Sequence, residues 1–357
     1  MQTDSAEILE LFTMKLVIYV VVGAVIPAFI VQRYSLHFLS YGVEIAQKMS
    51  VILLSLVLIV GIYMASGKTY SSFFRNHHEL KMYLNPSYPI SSFIKWALLK
   101  TKGVQSIKPI AEDARKNDHA RKKLVILVVG ETARAENFSL NGYAKQTNPL
   151  LHARTDIVNF SHFYSCGTAT AISIPCMFSK FGRDSFDDDK NYYENLMDVM
   201  QKVGVNVVWR DNNSGGSKGI ANRLHDVVSY HGTGFDEVLF KTLQKTIDET
   251  SRDTLIVLHQ EGSHGPAYYK RYPEAFKHFT PSCDTQDLSQ CSQEQIVNSY
   301  NNTILYTDFI INEAIKLLEK NEETFDTTLF YVSDHGESLG ENGVYLHGLP
   351  YFNVSLG

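Results

Sequence analysis

The sequence predicts a layered α/β domain with a mainly parallel sheet, preceded by two transmembrane helices. Three observations lead there. Residues 16–31 and 49–65 are nearly unbroken apolar runs. From Leu124 onward, short apolar strand-like runs alternate with helical stretches, the pattern of a layered α/β fold. The first of those runs, Leu124 to Val129, is apolar throughout, as a strand buried on both faces is.

At 357 residues the chain can hold a substantial core and more than one domain. Its net charge of -5 is mixed along the chain, so nothing points to a nucleic-acid partner, and the chain is expected to work as a monomer. Cys166 lies near Cys176, and Cys283 near Cys291. Such spacings fit two local disulfides and an oxidising compartment. A four-cysteine metal site is the rival reading, weakened because neither pair has the tight C-x-x-C spacing of structural zinc. No cleavable signal peptide is evident.

Residues 1–12 are short and acidic, with Asp4, Glu7 and Glu10. Leu16 to Val31 (LVIYVVVGAVIPAFIV) and Met49 to Ala65 each lie near the lower length limit of a membrane span. A pair of buried core helices is the alternative, but neither run has a polar face. Arg33 and Lys48 flank the connection, while acids dominate the N-terminal side. The positive-inside rule then puts loop 33–48 in the cytoplasm, with both the N-terminus and everything after Gly67 outside. The cysteines agree independently.

Residues 13–66 thus form two spans, and 67–120 a transition zone. In it, Phe93 to Lys100 mixes apolar and basic residues at helical spacing, with Trp96 as a possible interfacial anchor. Packing against the soluble domain is the other reading. Pro86, Pro89 and Pro109 interrupt helices, and 111–123 reads as a polar linker. Residues 121–357 make the layered α/β domain. Its expected strands are 124–129, 155–160, 205–209, 254–258 and 328–333; its expected helices are 193–203, 236–250 and 293–320.

The first strand ends in Gly130 and then Glu131, where ligands gather in open α/β sheets. An acidic helix cap is the plain alternative. Ser333-Asp334-His335-Gly336 likewise follows an apolar strand. Adjacent Asp and His at a strand end can face one metal, and their oxygen and nitrogen donors suit zinc, or manganese less tightly. Between them lies the loop 166–176, rich in small residues and hydroxyls, with Pro175 expected in a helix's first turn. A threonine hydroxyl there becomes a nucleophile if a metal lowers its pKa; a cysteine-stapled surface turn is the alternative.

His264 and His347 sit in glycine-containing loops. A histidine there can hold a phosphate oxygen, protonate a leaving group or bind a second metal. His259, at a strand end, reads as a hydrogen-bonded core residue. The turn Asp211 to Lys218 supplies polar donors and one cation, enough to grip an anion unless it is simply a flexible loop.

Five segments together carry a resemblance: Val128 to Arg134 (VVGETAR), Ser165 to Ala171 (SCGTATA), Trp209 to Asn213 (WRDNN), His264 to Tyr268 (HGPAY) and Ser333 to Gly343 (SDHGESLGENG). The chain closely resembles the lipid A phosphoethanolamine transferases, the colistin-resistance type within the alkaline phosphatase superfamily. The resemblance spans nearly the whole chain. It implies an alkaline phosphatase/sulfatase-like domain in the periplasm, anchored in the bacterial inner membrane.

It further implies that Glu131, Thr170, Asp334 and His335 hold one tightly bound zinc. Thr170, rather than Thr168, matches the nucleophile. His264 and His347 match residues that bind substrate phosphate or additional zinc. Asn213, Ser214 and Lys218 match a substrate-contacting turn of variable length, and Thr3 and Glu7 match two residues of a donor-lipid pocket. Cys283 and Cys291 fit the family's disulfide pattern. The expected reaction moves phosphoethanolamine from phosphatidylethanolamine to a phosphate of lipid A through a phosphoethanolamine-threonine, lowering negative surface charge and giving polymyxin resistance. Transfer to another acceptor, such as core heptose, or of phosphoglycerol, and an inactive membrane protein, are the alternatives. Family members begin with about three more membrane helices and run well beyond the position of His347, so the chain is expected to be a piece of a longer protein.

Overall fold

The computed structural model describes residues 14–34, 40–76, 87–101, 106–117, 119–186, 192–231 and 233–348. Thr3 and Glu7 lie outside them. The chain divides into two compact units, one including residues 12–103 and the other residues 104–357.

The N-terminal unit is helical. Helix α1 (Met14–Val20) passes through a π-turn at Val21–Val25 into α2 (Ile26–Arg33), which carries Pro27 in its first turn. A proline lacks an N–H and crowds the carbonyl one turn back, and a widened turn absorbs both faults. Helix α3 (Tyr41–Asn76) and α4 (Ser87–Thr101) follow. Residues Leu16–Arg33 and Tyr41–Ile62 are long and apolar enough to cross a membrane, with none of either stretch buried in protein. Ser50 and Ser55 donate their hydroxyls back to the carbonyls of Ala46 and Val51, both at 2.8 Å, so neither leaves a polar group unpaired. Helix α3 begins at Tyr41, so residues 41–48, expected in the connection, are helical, and Lys48 pairs with Glu44 at 2.8 Å.

The second unit is built on five strands: β1 (Lys122–Gly130), β2 (Asn206–Asp211), β3 (Asp226–Ser229), β4 (Thr254–His259) and β5 (Phe325–Ser333). All pair in parallel, in the order β3-β2-β4-β1-β5. Four short helices and one long one matter here: α5 (Pro149–His152), α6 (Thr170–Met177), α7 (Leu196–Lys202), α8 (Leu243–Asp248) and α9 (Gln293–Glu319). A small antiparallel pair, β6 (Ser338–Leu339) and β7 (Tyr345–Leu346), closes the described chain.

Because side chains alternate along a strand, each central strand feeds two cores. Leu124, Ile126, Val128, Ile256 and Leu258 pack with Leu243, Ile247, Ala314 and Leu318 from α8 and α9. Val129, Val207, Trp209, Leu255 and Val257 pack with Ile174, Phe178 and Met197 on the opposite face. This double burial is why the strands read as continuous apolar runs.

Helix α9 starts at a capping box in which Ser292 and Gln295 bond each other's backbone N–H. Its buried face is unusually polar. Asn302 accepts the N–H groups of His278 and Phe279 at 3.0 and 2.8 Å, and Asp308 accepts those of Leu150 and Leu151 at 2.9 and 3.0 Å. Loops are thereby stapled to the helix, and α5 gains a carboxylate cap. Residues 106–117 are likewise tied down, with Lys116 bonded to Asp253 at 2.6 Å.

Four expectations need correction. Residues 155–160 form no strand; their Val158 and Phe160 are exposed along a groove of about 870 Å³ beside β5. The short strand β3 was not anticipated. Residues 236–250 split into a 3-10 turn (Asp236–Phe240) and α8, because Thr242 between them is left-handed at φ 61°. Pro175 sits inside α6 rather than in its first turn, since that helix already begins at Thr170.

Candidate metal centre

Gly130 and Ser333 end adjacent strands and are paired in register, so Glu131 and Asp334 emerge side by side from the sheet. The Asp334 N–H donates to the Gly130 carbonyl at 3.0 Å. No side chain fits at position 130: a Cβ there would lie 2.7 Å from the Tyr331 hydroxyl. Thr132 is left-handed at φ 59°. Its N–H donates to Asp334 Oδ1 at 3.0 Å and its carbonyl accepts the Tyr300 hydroxyl at 2.6 Å, partners strong enough to hold a strained backbone.

Asp334 Oδ1 also accepts the His335 N–H, at 2.7 Å. Its Oδ2 is buried with no hydrogen-bond partner. His335 Nδ1 lies 2.8 Å from the Gly336 carbonyl, which can only accept. Nδ1 therefore carries a hydrogen whatever the charge of the ring, and Nε2 faces the site, where a bound cation would take the place of its proton. Thr170 opens α6 and sets its Oγ1 at 3.1 and 3.0 Å from the Glu131 oxygens and 3.2 Å from His335 Nε2. Ser173, one turn on, donates its hydroxyl to the Asp334 carbonyl and pins the helix. Glu131, Asp334 and His335 are all buried, and each offers a ligand atom within 4.8 Å of the others.

Burial pushes the Glu131 carboxyl up, but His335 bonds it and brings it well below the usual range. Burial, joined by the charge of Glu131, raises Asp334 to about 6. Burial also disfavours charge on His335, yet Asp334 and Glu131 outweigh it and lift the imidazole to about 10. The cluster is thus a concentration of negative charge that favours a cation.

The other sequence candidates fall around this cluster. Asn213 donates its side-chain amide to Glu131 Oε2 at 2.8 Å. Ser214 and Lys218 stand half-buried in the same turn after β2. The rings of His335 and His347 have centroids 4.6 Å apart, and those of His264 and His347 5.4 Å. Thr168 is on the same loop as Thr170, and its carbonyl takes the N–H of Gly348 at 2.8 Å. Disulfides join Cys166 to Cys176 and Cys283 to Cys291. His259 is a fully buried core residue, its Nδ1 3.1 Å from Asp211.

Sequence reasoning missed several supporting groups. The Asp236 carboxylate accepts from Asn212, from the N–H of Glu261 at 2.9 Å and from that of Gly262 at 3.1 Å. Glu337 faces His347 Nδ1 at 3.3 Å. Arg134 reaches the Glu337 carbonyl at 3.1 Å and Glu341 at 2.6 Å. Burial raises Glu261 to about 8 against the pull of Arg271. Glu337 and Arg134 lie inside segments that carry the family resemblance; nothing local marks Asp236 or Glu261.

The sulfatase profile matches residues 123–357, the stretch that holds this parallel sheet and the donors at its strand ends. The profile of phosphoethanolamine transferase EptA/EptB matches residues 1–101. The chain belongs to the EptA/Mcr-type phosphoethanolamine transferase family, within the alkaline phosphatase superfamily.

Among its relatives, phosphoethanolamine transferase EptA of Salmonella typhimurium is 44% identical over 98% of this chain and 66% of its own length. Phosphatidylethanolamine transferase Mcr-1 of Escherichia coli is 39% identical over 98% of this chain and 69% of its own. The structure of the integral membrane lipooligosaccharide phosphoethanolamine transferase A of Neisseria meningitidis superposes with a TM-score of 0.90 at 37% identity, covering 98% of this chain and 67% of that one. The chain thus spans about two thirds of the length of these relatives.

Proposed function

We propose that this chain carries the centre of a zinc-dependent transferase that moves phosphoethanolamine from phosphatidylethanolamine to a phosphate of lipid A. One observation carries the reading: the Thr170 hydroxyl stands 3.0–3.2 Å from both a Glu131 oxygen and His335 Nε2. Tetrahedral zinc, with bonds near 2.0–2.1 Å, needs donors about 3.3 Å apart. Thr170 to His335 is 3.2 Å, His335 to Glu131 3.4 Å, and His335 to the unpartnered Asp334 Oδ2 3.5 Å. Glu131, Thr170, Asp334 and His335 would hold the ion. When bound, zinc supplies Lewis acidity, lowering the pKa of a hydroxyl and offsetting phosphoryl charge.

Thr170 Oγ1, its proton lost to solvent, attacks the phosphorus of phosphatidylethanolamine, forming the threonine O–P bond as the O–P bond to diacylglycerol breaks. His264 or His347 gives the leaving oxygen its proton. A lipid A phosphate oxygen then attacks the same phosphorus, the threonine–phosphorus bond breaks, and Thr170 is freed for the next cycle. Asn213, Ser214 and Lys218 hold the phosphoethanolamine group. Helices α1 to α3 keep the centre at the inner membrane with the catalytic unit on the periplasmic side, and Thr3 and Glu7 belong to the donor pocket. An amine placed on an anionic phosphate lowers the surface charge that attracts cationic peptides, including polymyxins.

The test is a covalent one. Incubated with phosphatidylethanolamine and zinc, the wild-type chain gains one phosphoethanolamine on Thr170 by peptide mass spectrometry, and Thr170→Ala gains none. An adduct on Thr168 overturns the nucleophile assignment. Mass spectra of lipid A and of core sugars from expressing cells identify the acceptor.

A further inference from the structure

Two separate segments wall the candidate centre: the turn at 213–218 after β2 and the loop at 260–265 after β4. One buried carboxyl group joins them. Glu261 Oε2 accepts the backbone N–H of Ser214 at 2.7 Å. Its Oε1 faces Nη1 of Arg271 at 3.2 Å, with the two side chains only 8% and 10% exposed. Arg271 in turn donates its Nε–H to the His264 carbonyl at 2.8 Å. The backbone N–H of Glu261 is itself held by Asp236 at 2.9 Å, so the stem of this bridge is fixed.

We propose that Glu261 and Arg271 are positioning residues, a brace from the Ser214 N–H to the His264 carbonyl that sets the gap receiving the phosphoethanolamine group. The proposal rests on the transferase reading above for the identity of the group received, not for the brace itself. A buried pair of this kind is a weak source of stability, because desolvating it costs about what the contact returns. It instead specifies an arrangement. The carboxyl group is satisfied only when the turn after β2 and the strip containing Arg271 both point donors at it. Neither segment has a regular hydrogen-bond ladder of its own to hold it there. No hydrogen bond or ion pair joins the Glu261 side chain to Glu131, Thr170, Asp334 or His335, although the charges of Glu261 and Glu131 repel. Zinc content is therefore read beside KM to separate positioning from metal binding.

The experiment uses the full chain in detergent with zinc, phosphatidylethanolamine as donor and lipid A as acceptor, comparing Glu261→Ala, Glu261→Gln, Arg271→Met and the Glu261→Ala/Arg271→Met double variant. Hydrogen exchange of the peptide containing Ser214, zinc content, KM and kcat are measured on each. Glu261→Ala is expected to speed exchange at Ser214 and raise KM, each about tenfold, the loss of one buried hydrogen bond. Zinc content and kcat stay near wild type. Glu261→Gln keeps an acceptor for the Ser214 N–H and restores most of the protection and of KM. The double variant is no worse than Glu261→Ala alone, as for residues acting through one bridge. Unchanged exchange at Ser214 in both Glu261→Ala and Arg271→Met overturns the brace. So does a fall in kcat with KM intact, or strictly additive effects in the double variant. Should Glu261→Ala fail to fold, the Glu261→Gln and Arg271→Met exchange data decide alone. A wild-type chain with no turnover would sink the transferase reading, while exchange at Ser214 still decides the brace.

Discussion

The side-chain amide of Asn213 donates to Oε2 of Glu131 at 2.8 Å, and a second contact at 3.2 Å ties it to the carbonyl of Gln260. An Asn in the turn after β2 thereby orients an acid at the end of β1. Groups that orient metal ligands are worth about ten- to a hundredfold in affinity. Asn213→Ala is therefore expected to weaken zinc binding by at least about tenfold, measured as metal content against buffered free zinc without substrate. Unchanged zinc affinity would leave Asn213 with a substrate role alone.

Gly262 is left-handed at φ 54°, and a Cβ there would meet the Glu131 carbonyl oxygen at 2.7 Å and its nitrogen at 3.0 Å. Both obstacles are backbone, so neither can turn aside. Gly262→Ala should displace Glu131 and lower both zinc occupancy and melting temperature. Gly204, at φ 88° with nothing within 4 Å, is the control. Its alanine variant should cost only the left-handed strain, about 1–2 kcal/mol, and spare the metal.

Arg134 ties the chain after β1 to the chain after β5 through the Glu337 carbonyl and Glu341, with its own side chain 9% exposed. Arg134→Met takes this donor from the buried Glu337 carbonyl and the cationic partner from the part-exposed Glu341, which keeps Ser338 and Leu339. A loss of roughly 1–3 kcal/mol is expected in denaturant unfolding, together with faster hydrogen exchange across 336–341. A variant as stable as wild type would remove Arg134 from this role.

Asp308 supplies a pH dependence. Burial raises its carboxyl to about 6 against the pull of two backbone N–H groups. The folded form then holds its proton more tightly than the unfolded chain, whose carboxyl titrates near 3.9. Folded stability from this group is full below about pH 4 and falls as pH rises through about 6, by some 2–3 kcal/mol in all. Asp308→Asn should lose this slope: its stability relative to wild type improves between pH 4 and 7. A constant difference across that range would be contrary evidence.

The residues that were legible in the sequence are those whose partners lie next to them. Leu124 to Val129 shows as a strand because both faces are covered. Thr328 to Ser333 shows because its run is apolar, even though Phe330 is exposed on this edge strand. Glu131 and Asp334-His335 stand at their ends. The run 155–160 has strand-like composition yet pairs with no strand among the described residues, although it lies across a groove from the edge strand β5. Glu261 and Asp236 passed unremarked because their partners, Ser214, Arg271 and Gly262, meet them only once the loops after β2 and β4 are folded. The polar buried face of α9 was equally silent, because Asn302 and Asp308 look like solvent-facing residues until the loops they hold are in place.

The in-register pairing of Gly130 with Ser333 has one more consequence. A slip of one residue between β1 and β5 would carry the Glu131 and Asp334 side chains apart by about 3.3 Å, a full strand rise, and turn one set to the wrong face. Any ion that needs both carboxylates would reject the slipped sheet, and its binding free energy would accrue to the correct alignment alone. Metal loading would then serve as a proofreading step for strand alignment, and a mutation buried deep in β1 or β5 could announce itself first as lost zinc.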